Sequence, residues 1–171
     1  MFARLVKSPV SWVALGLIGG WLLSGALGPQ TIEGVSTDRI ETFAMATGPV
    51  DNDFEAVYLL DFLTGDITAA VVGKNHQHGF TARFTANVMN DMQIDPTANP
   101  KFLMVTGMAN IRRGGGQLQP SASLVYVAEV TQGKIAAYAI PWAPQLHNAG
   151  KPMQSQMVLI AVAPFRGPTA R

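Results

Sequence analysis

A sixteen-residue stretch occurs twice in this chain. Residues 57–72, VYLLDFLTGDITAAVV, align without a gap on residues 125–140, VYVAEVTQGKIAAYAI. Each copy begins Val-Tyr, places an acid at the same point (Asp61, Glu129), then a turn glycine (Gly65, Gly133) and an isoleucine (Ile67, Ile135). Val, Tyr, Ile and Phe suit a pleated surface. Leu63-Thr64-Gly65 and Thr131-Gln132-Gly133 fit a three-residue hairpin loop that ends on a left-handed glycine. The pattern predicts strands over 57–62 and 66–72, and over 125–130 and 134–140. Tyr58, Leu60 and Phe62 fall on one face of the first strand and Val57 and Leu59 on the other, which predicts strands covered on both sides.

A second motif extends the repeat upstream. Phe43-Ala-Met45-Ala-Thr47-Gly48 matches Phe102-Leu-Met104-Val-Thr106-Gly107, offset by 59 residues (43 to 102), whereas the hairpin is offset by 68 (57 to 125). Two motifs in one order with a single loop insertion are what a duplicated unit leaves behind. Each unit has four predicted strands: near 43–47, 57–62, 66–72 and 80–84 in the first, near 102–106, 125–130, 134–140 and 157–163 in the second. Phe84, Val88 and Met92 at four-residue spacing predict one short helix between the units, stopped at Asp95-Pro96. Pro141, Pro144 and Pro152 mark the last connection as an irregular excursion. The fold class expected is mainly β with an N-terminal transmembrane helix. Two duplicated four-stranded antiparallel units form a sandwich or barrel within one chain, which hides strand edges most readily.

The hairpin pattern V-Y-x-x-D/E-x-x-x-G-x-I resembles the repeats of quinoprotein-type propellers over about sixteen residues per copy. Two blades cannot close a ring, so that resemblance implies several chains closing one together, the alternative to the single-chain fold. The runs 61–66, 104–107, 110–114 and 125–142 resemble a family of membrane-anchored bacterial proteins of unknown function, over roughly 41–142. That resemblance implies an anchor followed by a β domain and lends no activity.

The chain has 171 residues, 48% hydrophobic and 13% charged, and part of the apolar excess lies in its first thirty residues. Arg4 and Lys7 precede an uncharged run over 10–27 that carries Trp12 and Trp21. Eighteen such residues reach the short end of a membrane-crossing helix, about 17–25 residues. Positive charge before the run puts the N-terminus in the cytoplasm and the rest on the periplasmic side of the cytoplasmic membrane. Ser24-Gly25-Ala26 would also serve as a signal-peptide cleavage site, but the run exceeds the roughly 7–15 residues of a signal core. An uncleaved anchor is therefore the expectation. Gly16, Gly20, Ser24 and Gly28 recur every fourth residue, a spacing that lets two helices pack closely in lipid. The expected organisation is cytoplasmic N-terminus and anchor 1–27, linker 28–40, first β unit with its helix 41–95, second β unit 96–165 and tail 166–171.

The net charge of +1 conceals a division. Residues 28–100 hold ten acids and three bases, a net of −7, whereas 101–171 hold seven bases and one acid, a net of +6. Either the two units face each other with complementary surfaces, or the acidic unit of one chain meets the basic unit of the next.

Three clusters are candidates for chemistry. Asp51, Asp53 and Glu55 alternate as carboxylates in a calcium loop do, without the EF-hand spacing or its glycine, so a solvated acidic turn is the ordinary alternative. His76 and His78 straddle Gln77, and in an extended segment both rings project to one side and could share a metal. Arg112 and Arg113 followed by Gly114 and Gly115 combine paired donors with open backbone, which suits an anion or a partner contact. No metal site among these is a firm expectation and no cofactor is expected. The absence of cysteine excludes a disulfide framework and a thiolate metal site. No nucleophile, zinc-protease, haem-attachment or dinucleotide motif occurs, and the basic residues lack the aromatic interleaving of a nucleic-acid surface. The function expected is non-enzymatic: a membrane-anchored structural or accessory subunit that self-associates or binds a larger membrane complex. The alternative is an extracytoplasmic module for an anion or Ca²⁺.

Overall fold

A computed structural model of the chain describes residues 38–111 and 118–167. The anchor and its helix-packing positions Gly16, Gly20, Ser24 and Gly28 lie outside the described residues, as do Arg112, Arg113, Gly114 and Gly115. Among the described residues, no helix is long and apolar enough to cross a membrane.

The described part is mainly β. Its strands are β1 (Asp38–Arg39), β2 (Phe43–Pro49), β3 (Glu55–Asp61), β4 (Asp66–Val72), β5 (Phe80–Asn87), β6 (Phe102–Met108), β7 (Gln119–Glu129), β8 (Lys134–Trp142), β9 (Met153–Gln156) and β10 (Val158–Pro164). Two α-helical turns join them, α1 (Val88–Met92) and α2 (Pro144–Asn148). One sheet has the order β1-β2-β3-β4-β5-β9 and the other the order β10-β8-β7-β6.

The sequence repeat is also a repeat of register. In the first sheet Phe43 pairs with Asp61 and Thr47 with Val57; in the second Phe102 pairs with Glu129 and Thr106 with Val125. The hairpins match likewise: Ala56 opposes Val71 and Leu60 opposes Ile67, while Leu124 opposes Ala139 and Ala128 opposes Ile135. Both loops turn on a left-handed glycine, Gly65 at φ 73° and Gly133 at φ 74°. An L side chain strains there, and at Gly65 a Cβ would also lie 2.5 Å from Met89 Cγ and 3.2 Å from the Met89 backbone nitrogen. Gly65→Ala is expected to lower stability by about 2 kcal/mol, read as a shifted urea midpoint at unchanged slope.

The inner faces of both sheets share one core. Tyr58, Leu60, Ile67 and Phe84 enter it from the first sheet, and Phe102, Val125, Val127 and Tyr138 from the second. Corresponding strands meet where the sheets approach. The Thr106 hydroxyl donates to the carbonyl of Thr47, its counterpart 59 residues earlier. Beside it the Ser123 hydroxyl donates to the Pro49 carbonyl at 2.8 Å, and Ala122 N–H donates to the Val50 carbonyl at 3.0 Å. Gly48 permits this approach, since a Cβ on it would come within 2.7 Å of Ser123 Oγ.

Several expectations are corrected. The sheets do not close into a barrel: each retains two edge strands, β1 and β9 in one, β10 and β6 in the other. The first sheet exceeds four strands, because β1 is added at one edge and β9 at the other. Nor is it wholly antiparallel, since β9 runs parallel to β5, pairing Met153 with Ala82. The excursion after Pro141 therefore holds α2 and a strand. The first hairpin is not covered on both sides; its strands alternate, with Tyr58 and Leu60 buried while Leu59 is exposed. The second hairpin does have a partly covered outer face, where Ala109, Ile111 and Tyr126 pack on Leu124, Ala137 and Ala139. The helix begins only at Val88, because Asn87 caps it by accepting from Asn90 N–H, and Phe84 belongs to β5.

Candidate functional site

The acidic loop between β2 and β3 is used internally. Asp51 Oδ1 accepts from the N–H groups of Asp53 and Phe54, each at 2.9 Å, and Oδ2 accepts from Trp142 Nε1 at 2.7 Å. Asp53 is exposed, and Glu55 opens β3. Residues 76–78 form a 3-10 turn rather than the extended segment that would point alternate residues to one side. Among the described residues, no three His, Cys, Asp or Glu side chains converge as a metal set.

What the structure does assemble at Asp51 is a cluster drawn from two distant segments, 51–54 and 142–147. His147, on α2, is buried between Phe54 and Trp142, with ring centroids 4.4 Å and 4.7 Å away. Neither of its ring nitrogens has a hydrogen-bond partner among the described residues. Burial lowers its pKa below the ordinary 6.5 and outweighs the opposing pull of Asp51, with Lys74 adding a smaller lowering influence. The imidazole is thus held neutral. The sign of the linkage follows: just below 6.5 the unfolded chain holds more protons than the folded one, so stability falls as pH drops through that window. His147→Phe keeps the ring contacts and removes two unpaired polar atoms. It is expected to raise stability by about 1 kcal/mol at neutral pH and to flatten the pH dependence just below 6.5, both read from denaturant titrations.

The repeated acid at the end of each hairpin strand ties its loop. Asp61 Oδ1 accepts from Leu63 N–H at 2.8 Å. Glu129, its counterpart, is fully buried and accepts from Thr131 N–H at 2.7 Å, Gln132 N–H at 2.7 Å and Lys101 N–H at 3.1 Å. These carboxylates shape turns, and neither belongs to a cleft with a histidine. One cleft of about 840 Å³ is lined by Glu41, Phe62, Leu63, Met89 and Lys101, and another of about 300 Å³ by Lys74, His78, Thr81 and Asn148. Among the described residues, neither brings a histidine and a carboxylate together.

The most conspicuous surface is β10, Val-Leu-Ile-Ala-Val-Ala-Pro. All seven of its residues are exposed and none is charged. It pairs with β8 on one side only and forms an edge of its sheet. Leu159 and Val162 oppose Tyr138 and Ala136, which are buried in the core, yet Leu159 and Val162 are each 41% exposed. The other edges are managed. β1 has two residues, β9 is the polar Met-Gln-Ser-Gln, and β6 lies against β2 through the Thr106–Thr47 bond. Edge strands in globular proteins are normally blunted by charge, shortness, proline, bulges or cover; β10 has a bulge between Leu159 and Ala161 and ends on Pro164, but it is long, uncharged and uncovered among the described residues. Sequence reasoning placed the strand but missed that it would be an edge. The available signal was seven apolar residues in a row with no charge, 157–163.

Compared with protein-family models, curated proteins and solved structures, the chain matches none.

Proposed function

We propose that this chain is a non-enzymatic assembly subunit of the cytoplasmic membrane. Its N-terminal segment crosses the bilayer once and holds a β domain on the periplasmic side, where that domain binds copies of itself or a larger membrane complex. The domain is a two-layer sandwich of duplicated four-stranded units, to which β1 and β9 are additions. The observation that carries the proposal is β10: a seven-residue apolar edge strand exposed on both faces is a template for strand addition, in which main-chain hydrogen bonds give affinity and side chains give selectivity. Supporting it, the carboxylates of Asp51 and Glu129 are engaged in internal hydrogen bonds.

Extraction of the full-length protein in a mild detergent tests the proposal. An assembly subunit leaves the membrane in a complex of fixed stoichiometry, and Val162→Lys on β10 dissolves that complex while the β-sheet circular dichroism persists. A chain that extracts alone and gains thermal stability with Ca²⁺ or phosphate would contradict it and favour a ligand-binding module.

A further inference from the structure

Resting on the reading of β10 as an assembly edge, we infer that its partner is β10 of a second copy of this chain, paired antiparallel about a two-fold axis. An edge strand needs another free edge of similar length. β1 is too short, β9 is short and polar, and β6, although seven residues long and uncharged, lies against β2, so among the described edges β10 itself is the best match for β10. Two identical strands can pair antiparallel by a rotation that closes after one step, which gives a dimer and not a growing filament.

Charge supports that arrangement. β10 is acidic beside its beginning and basic beyond its end. Exposed Asp91 lines a cleft together with Gln156, Met157 and Leu159. At the other end Phe165 N–H donates to the Gly133 carbonyl at 2.8 Å, and the exposed Arg166 packs over Gly133. Antiparallel pairing about Ala161 sets Val158 opposite Pro164 of the copy and Arg166 opposite Gln156, on the side where Asp91 of the copy stands. The basic end of each strand therefore meets the acidic end of the other, twice by symmetry. The same axis sets Val162 opposite Ile160, covering apolar side chains the chain leaves exposed. The irregularity between Leu159 and Ala161 twists this edge and disfavours the flat stacking that leads to fibres.

A cysteine scan of the full-length protein in its membrane tests the inference, because the native sequence has no cysteine. Leu159→Cys, Ile160→Cys, Ala161→Cys, Val162→Cys and Ala163→Cys are oxidised one at a time, with Leu103→Cys, an exposed position on β6, as reference. Opposed strands bring equivalent Cα atoms within disulfide range only next to the axis. The expected result is a disulfide dimer that peaks at one or two neighbouring positions near Ala161 and is absent at Leu103. In detergent, Val158→Lys combined with Val162→Lys is expected to halve the particle mass from two chains to one. A flat scan, or a two-chain mass unaffected by the lysines, overturns the inference. If the wild type carries one copy of this chain and loses a different polypeptide on introduction of the lysines, the two-fold pairing is wrong and the assembly reading stands. If it binds neither, both fall.

Discussion

Glu129→Ala lowers the stability of the β domain by about 3 kcal/mol, because it leaves three backbone N–H groups of a part-buried turn without their acceptor and empties a buried side-chain site. The Glu129 side chain is fully buried, and its two oxygens serve the N–H groups of Lys101, Thr131 and Gln132. One side chain thus closes the β7–β8 loop and fixes the start of β6 against the end of β7. Burial, the largest single influence, pushes its pKa up. The N–H groups of Gln132, Thr131 and Lys101 together outweigh burial and hold the carboxyl below the ordinary 4.5. A depressed carboxyl contributes stability that is present above its unfolded pKa and is lost as pH falls through its folded one. Wild-type stability therefore declines as pH falls below 4.5, and Glu129→Gln removes that part of the decline. Urea titrations across this window check both statements. Asp61→Ala is expected to cost far less, since its exposed loop has one such bond to lose.

Trp142→Ala is expected to cost about 4 kcal/mol, in the range for truncating a large buried aromatic. Trp142 is among the largest fully buried side chains, and its indole N–H reaches Asp51 across 91 residues of sequence. It is also one wall of the His147 site. Removing it opens a cavity, frees an Asp51 oxygen and takes away one of the two rings that pack against His147 of α2. Trp142→Phe keeps most of the apolar volume and loses the bond to the carboxylate, for an expected cost of about 2 kcal/mol. Thermal or urea unfolding of the two variants separates the packing contribution from the hydrogen bond. The Phe variant falling as far as the Ala variant would show that the polar contact dominates.

Local patterns were legible because they repeat at short range. The strand over Asp66–Val72 and the two turn glycines follow from hairpin chemistry, and the shared offset of Thr47 and Thr106 anticipates that two alike units exist. The failures are of another kind. Val57 and Leu59 are apolar, yet among the described residues Val57 is only half-buried and Leu59 is exposed, and composition cannot tell cover from exposure. β9 was illegible because Met-Gln-Ser-Gln carries no strand signature; it is a strand only because β5 offers it an edge. The His147 cluster draws on residues 51, 54, 142 and 147, and nothing in their spacing announces that they meet. Asp51 reads in sequence as a candidate cation ligand, and only the fold shows an indole N–H on one oxygen and two backbone N–H groups on the other.

Amide hydrogen exchange along β10 tests the central claim, that this strand is covered in the native assembly. Residues 158–164 would be followed in the full-length protein in membrane or mild detergent, beside the Val158→Lys, Val162→Lys variant. The account predicts that in the wild type the outward amides of β10 exchange as slowly as those of β8, and that the lysines release them while leaving β8 protected. Outward amides that exchange rapidly in the wild type, at the same rate as in the variant, would contradict it.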